Sequence, residues 1–159
     1  MFVMKNRVIA LVAVFILLFS ANVFAAPTSV YGSDAGNITG MVIVKKPETA
    51  VSSTTKKVYT VSAVSLNGVE ISLYKFNPAT GLFDILTDAS GAVCTNKVGA
   101  TGLYVKDIEL DVNTNYLLLR AQYGNLYQSI RFDITLLNQG IIDSIRGFST
   151  NFQSAFGGW

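Results

Sequence analysis

Between residues 126 and 135 the chain alternates strictly. Leu126, Gln128, Ile130, Phe132 and Ile134 fall on one side of an extended strand, and Tyr127, Ser129, Arg131, Asp133 and Thr135 fall on the other. The first set is assigned to a core. Val69, Ile71 and Leu73 alternate in the same way with Glu70, Ser72 and Tyr74, while Tyr104, Ile108 and Leu110 join the core from a further segment. Short runs of this kind, rich in β-branched and aromatic residues, predict eight strands, at 38–44, 58–65, 69–76, 83–87, 92–98, 103–110, 116–123 and 126–135. Clean alternation marks strands buried on one face, which favours two antiparallel sheets over a parallel α/β arrangement. The expected fold is therefore all-β, a two-sheet antiparallel sandwich of seven to eight strands.

The segments between these runs carry turn chemistry. Asn67-Gly68 and Gly124-Asn125 supply positive φ for tight hairpins. Asn77, Pro78 and Gly81 suit a longer turn, and the Asx residues of Asp88-Ala89-Ser90-Gly91 and of 111–115 close two more. The stretch 45–57 is polar and long for a compact domain, so it reads as a loop and a candidate interaction surface.

Beyond residue 135 the period changes. Ile141, Ile145, Phe148, Phe152 and Phe156 recur every three or four residues, which predicts a helix over 140–156 with all five on one face. Asp143, Arg146, Thr150 and Gln153 take the other side, and Asp143 suits the positive end of the helix dipole. A stripe of this size needs a cover, whether its own sheet, another chain or a membrane. Arg146 is the one cation on the polar side, and helices that lie on anionic membranes are rich in Lys and Arg, so membrane association is the weakest option. The five residues are the candidate protein-interaction site.

At the opposite end, a basic start (Lys5, Arg7) leads into twelve apolar residues, Val8 to Phe19. That is the length of a signal-peptide core and short of the roughly 20 residues that span a bilayer. Val23 and Ala25 stand at −3 and −1 of a cleavage site after Ala25, and no Cys follows to accept a lipid. The expected layout is a secretory leader at 1–25, a flexible arm at 26–37, the sandwich at 38–135 and the amphipathic helix and tail at 136–159. The expected location is periplasmic or extracellular, in a bacterium.

Composition then removes several chemistries. Without Lys5 and Arg7 the chain holds ten Lys and Arg against ten Asp and Glu, and a balanced charge does not suit a nucleic-acid binder. Lys45-Lys46 and Lys56-Lys57 read as solvated loop ends. Cys94 is the single cysteine, so no intramolecular disulfide forms, and its apolar setting predicts a buried, inert thiol. The chain has no histidine, which excludes Ser-His-Asp and Cys-His catalysis.

Residues 111–115 begin like a calcium loop, but the sixth position is Tyr116 instead of Gly and the twelfth is Gln122 instead of Glu. Asp107, Glu109 and Asp111, with Asp88, read as an exposed acidic face, and nothing marks a pair of carboxylates for glycosidase chemistry. Asn37-Ile38-Thr39 matches a glycosylation acceptor of a kind common by chance. No cofactor and no metal site is expected.

The order Gly40, then Asn67-Gly68-Val69-Glu70-Ile71-Ser72-Leu73, then Thr87-Asp88-Ala89-Ser90-Gly91, then Gly102-Leu103-Tyr104 and Tyr116-Leu117-Leu118-Leu119 resembles the carboxypeptidase regulatory-like domains. More distantly it is similar to the collagen-adhesin B-type repeats of bacterial surface proteins. The segment from Gly91 to Gly102 departs from that pattern, being longer and more polar. The resemblance implies a prealbumin-like sandwich serving as a structural or binding module without catalysis. The expected function is thus a secreted, non-enzymatic component of the periplasm, cell envelope or cell surface with a protein partner or self-association. The alternatives are a self-assembling subunit of an extracellular fibre and a small hydrolase.

Overall fold

The structure is a computed structural model and describes residues 26–88, 90–138, 140 and 143. The leader expected at 1–25 and the stripe Ile141, Ile145, Phe148, Phe152 and Phe156 lie outside the described residues. The elements are ten strands: β1 (Ser29–Val30), β2 (Val42–Lys46), β3 (Val51–Thr54), β4 (Val58–Ser65), β5 (Glu70–Asn77), β6 (Leu82–Ile85), β7 (Thr95–Lys97), β8 (Leu103–Glu109), β9 (Asn113–Tyr123) and β10 (Leu126–Leu136). They make two sheets. The larger has seven strands in the order β1-β6-β5-β9-β10-β3, with β7 also on β5, and the smaller runs β2-β4-β8.

Alternation explains how the sheets meet. Val61 and Ala63 of β4 and Tyr104 and Ile108 of β8 share one buried cluster with Ile71 and Leu73 of β5, Leu117, Leu119 and Ala121 of β9, and Phe132 and Ile134 of β10. Both sheets thus turn one face into a common core, as in a sandwich. Removing the valine, leucine, isoleucine and phenylalanine side chains among these from water contributes about 1.5–3 kcal/mol each, which sets the strand register that keeps them inside. Gln128 sits in the core-facing set of β10 without being wasted: its Oε1 accepts from the backbone N–H of Met41 at 2.8 Å and of Val42 at 3.1 Å.

The sheets are not wholly antiparallel, which corrects the expected arrangement. Residues 51–54, read as part of a loop, form β3 and pair in parallel with Asp133 to Leu136 of β10. The chain leaves β2 on one sheet, crosses at residues 47–50 and lies along the edge of the other before entering β4. Val-Ser-Ser-Thr is too polar to show alternation because only the backbone of β3 is needed to close that edge.

A second correction concerns 92–98. Leu86 N–H donates to Leu73 C=O and Leu73 N–H donates to Cys94 C=O, so residues 86 and 94 face the same β5 residue. Between them the chain leaves β5 at Thr87 and returns at Val93, and these two residues form a bridge. β6 and β7 are therefore two halves of one line along β5.

The third correction concerns 26–37, expected as a flexible arm. Ser29 and Val30 pair with Asp84 and Phe83 of β6. The chain then reaches β10, where Gly36 bridges Gln128 and Ser129 N–H donates to Ala35 C=O. Segment 26–37 is thus a strap from one margin of the larger sheet to the other. Its anchor is a second apolar cluster of Val30, Tyr74, Phe83 and Leu118. Tyr74, assigned to an outward polar set, is fully buried there, and its hydroxyl donates to Pro27 C=O at 2.9 Å.

Candidate interaction surface

The smaller sheet has an outer face that no described residue covers. Along β4 the inward set is Tyr59, Val61, Ala63 and Ser65, which leaves Val58, Thr60, Ser62 and Val64 outward. Pairing places Ile43 of β2 beside Val64 and Val64 beside Leu103 of β8, so three apolar side chains form a row across all three strands. They are 55%, 39% and 54% exposed. Val105, next on β8, and Leu66, just past β4, are exposed as well and widen the patch.

Toward the other end of the same face the outward residues are polar apart from the exposed Val58. Thr60 donates to Asp107 at 2.6 Å, and Lys57 pairs with Glu109. Isolated exposed apolar residues are ordinary, but a contiguous apolar cluster bordered by polar groups marks an interaction site. The sequence signal was present in Val-Tyr-Thr-Val-Ser-Ala-Val-Ser, whose valines fall on both faces of β4.

The outer face of the larger sheet is different, because the strap lies on it. Asp34 accepts from the Tyr127 hydroxyl at 3.0 Å and lies 3.6 Å from the Arg120 guanidinium, which stacks 3.8 Å over the Tyr127 ring. The hydrogen bond to Asp34 holds the Tyr127 phenol above its ordinary pKa. Asn37 accepts from Tyr127 N–H, and its own amide donates to Asn125 C=O at 2.8 Å, so the nitrogen of the glycosylation match is engaged.

Between β8 and the β5–β6 margin runs an open cleft of about 940 Å³ whose walls include Lys75, Asp84, Asp88, Lys106, Asp107, Glu109 and Asp111. Its carboxylates are matched within the chain. Asp111 pairs with Lys75, Asp84 accepts from Ser29 and Asn77, and Asp88 pairs with Lys106 at 3.2 Å. The Ser90 hydroxyl on Asp88, with Lys106 and the Ser90 and Ala92 N–H groups, lowers its pKa to about 2. Such a carboxylate stays ionised and cannot serve as a general acid near neutral pH.

Among the described residues no three His, Cys, Asp or Glu side chains gather as metal ligands. The calcium-like stretch is a turn held by Asn115, whose Oδ1 accepts from Asp111 N–H while Nδ2 donates to the carbonyls of Asp111 and Asn113. Cys94 is fully buried, and burial raises its thiol pKa. The acidic residues read as an exposed face are thus matched within the chain, and the interaction stripe, the one site expected from the residue pattern, lies outside the described residues. No family model matches the chain, and no curated protein matches it.

Proposed function

We propose that this chain is exported, loses residues 1–25, and acts as a non-enzymatic structural or binding component of the periplasm, cell envelope or cell surface. In this reading the domain is a prealbumin-like sandwich, and residues 140–156 form an amphipathic helix. The observation that carries it is the exposed apolar row Ile43–Val64–Leu103 on a face whose counterpart in the larger sheet is crossed by the N-terminal strap. The leader pattern and the internally matched carboxylates support the same reading.

A photo-crosslinking residue at Val64, compared with one at Thr60 on the polar half of the face, tests the proposal in the exporting cell. The expected result is an adduct at Val64 in the exported fraction, weaker at Thr60, on a chain whose mass starts at Ala26. A chain that keeps Val8 to Phe19, or equal labelling at both positions, would overturn it. The second reading, a subunit of a fibre, is favoured by where the apolar patch lies relative to the end of β10.

A further inference from the structure

Resting on that surface reading, we propose that the occupant of the apolar patch is the C-terminal segment of a second copy of this chain, so that copies join head to tail. Positions within the fold lead to it. Leu136 pairs with Asn113 and with Thr54, and Leu137 N–H donates to Thr54 C=O. Leu110 N–H donates to Lys57 C=O, next to the pairing of Val58 with Glu109. The chain past residue 137 therefore departs at the Val58 end of the smaller sheet.

The patch lies at the other end. Val64 and Leu103 are the last pair of β4 with β8, and Leu66 follows in the turn to β5. A Cβ on Gly68 in that turn would stand 3.4 Å from the Tyr123 ring, and Tyr123 and Leu126, both exposed, pair across the β9–β10 hairpin. Apolar side chains thus run from the outer face of the smaller sheet round the end of the molecule.

From Val58 to Val64 the strand covers roughly 20 Å at about 3.3 Å per residue. As a helix, the stripe from Ile141 to Phe156 measures roughly 22 Å. Folded back along its own sheet from the Val58 end, it would set Ile141, Ile145 and Phe148 against Thr60, Asp107 and the Lys57–Glu109 pair. Apart from Val58 at that end, only the positions reached by Phe152 and Phe156 would offer apolar ground. Burying those charged groups under apolar side chains opposes such a fit. A neighbouring copy has no such constraint, because its stripe can approach the far end directly. Tail and acceptor patch at opposite ends make a heterologous contact, which extends into a filament when its rotation does not close a ring.

Two full-length mature variants test this: Phe148→Ser with Phe152→Ser, which spoils the tail, and Leu103→Lys with Val105→Lys, which spoils the face. In sedimentation velocity the unaltered mature chain should form species that grow with concentration, and each variant alone should run as a monomer. An equimolar mixture should give a one-to-one dimer and nothing larger, since one partner keeps its tail and the other its face. Assembly by the tail variant alone would overturn the proposal in favour of a face-to-face pair. A monomeric unaltered chain, or a tail variant whose melting temperature falls sharply, would overturn it in favour of docking within one chain. Should the Lys pair prevent folding, Ile43→Lys on β2 spoils the same row and takes its place. A monomeric chain that still crosslinks at Val64 in cells would sink the head-to-tail contact while leaving the surface reading standing.

Discussion

Asn115 is 2% exposed near the start of β9, and its side chain accepts from Asp111 N–H and donates to the carbonyls of Asp111, Asn113 and Ile134. Replacement by Ala would leave the carbonyls of Asp111 and Asn113 and the Asp111 N–H without that partner. The bond to Ile134 C=O is buried, and an unmet buried polar group costs about 1–3 kcal/mol, so Asn115→Ala should lower stability in urea unfolding by about that amount. An unchanged midpoint would show that water replaces the side chain. Asp88 gives a pH-dependent effect. Its carboxyl is held down to about 2 in the folded chain, against roughly 3.9 for an unperturbed Asp. The stability it contributes is therefore full above about pH 4 and is lost as pH falls toward 2. The gap in melting temperature between the unaltered chain and Asp88→Asn should close over that interval, and a constant gap would refute the linkage. Cys94 should react slowly with thiol reagents in the native state and rapidly in denaturant, because both its burial and its raised pKa suppress the thiolate.

At the scale of elements, strands with one buried face were legible because alternation records which side meets the core. The sequence pattern places β4 with its observed bounds, and it puts Ile71, Leu73, Phe132 and Ile134 on the core side, where they lie. β1 and β3 were not legible, because a sheet margin recruits their backbone and asks little of their side chains. Tyr74 was misplaced for a related reason: a second layer, the strap, turned an outward position into an inward one. The strap itself gives a test. Gly36 has φ of 101°, and a Cβ there would stand 2.3 Å from the Tyr127 carbonyl oxygen, a backbone atom that cannot swing away. Gly36→Ala should cost about 1–3 kcal/mol and release the strap. Hydrogen exchange should then rise in residues 28–37 and 127–129 with the core strands still protected. Protection equal to that of the unaltered chain would show that the strap tolerates the change.

At the scale of the whole molecule, the two outer faces differ: the larger sheet is crossed by the chain's own N-terminal strap, which buries Tyr74, Phe83 and Leu118, and the smaller sheet presents Ile43, Val64 and Leu103 to solvent. The candidate stripe at 141–156 was visible as a period, but its acceptor was not, since the patch arises from three strands that only the fold brings side by side. In the proposed reading that face carries the function, since its apolar residues Ile43, Val64 and Leu103 stand outside the buried core cluster. Leu103 and Val105 on the edge strand β8 are the residues with which to separate the two roles, as edge strands accept Lys readily and exposed substitutions change stability by about 0.5 kcal/mol or less. The most direct measurement is the sedimentation profile of the mature Leu103→Lys, Val105→Lys chain beside the unaltered one, taken on material whose urea midpoints match. The unaltered chain should form larger species as concentration rises while the variant remains a folded monomer; identical profiles for the two would contradict the head-to-tail contact.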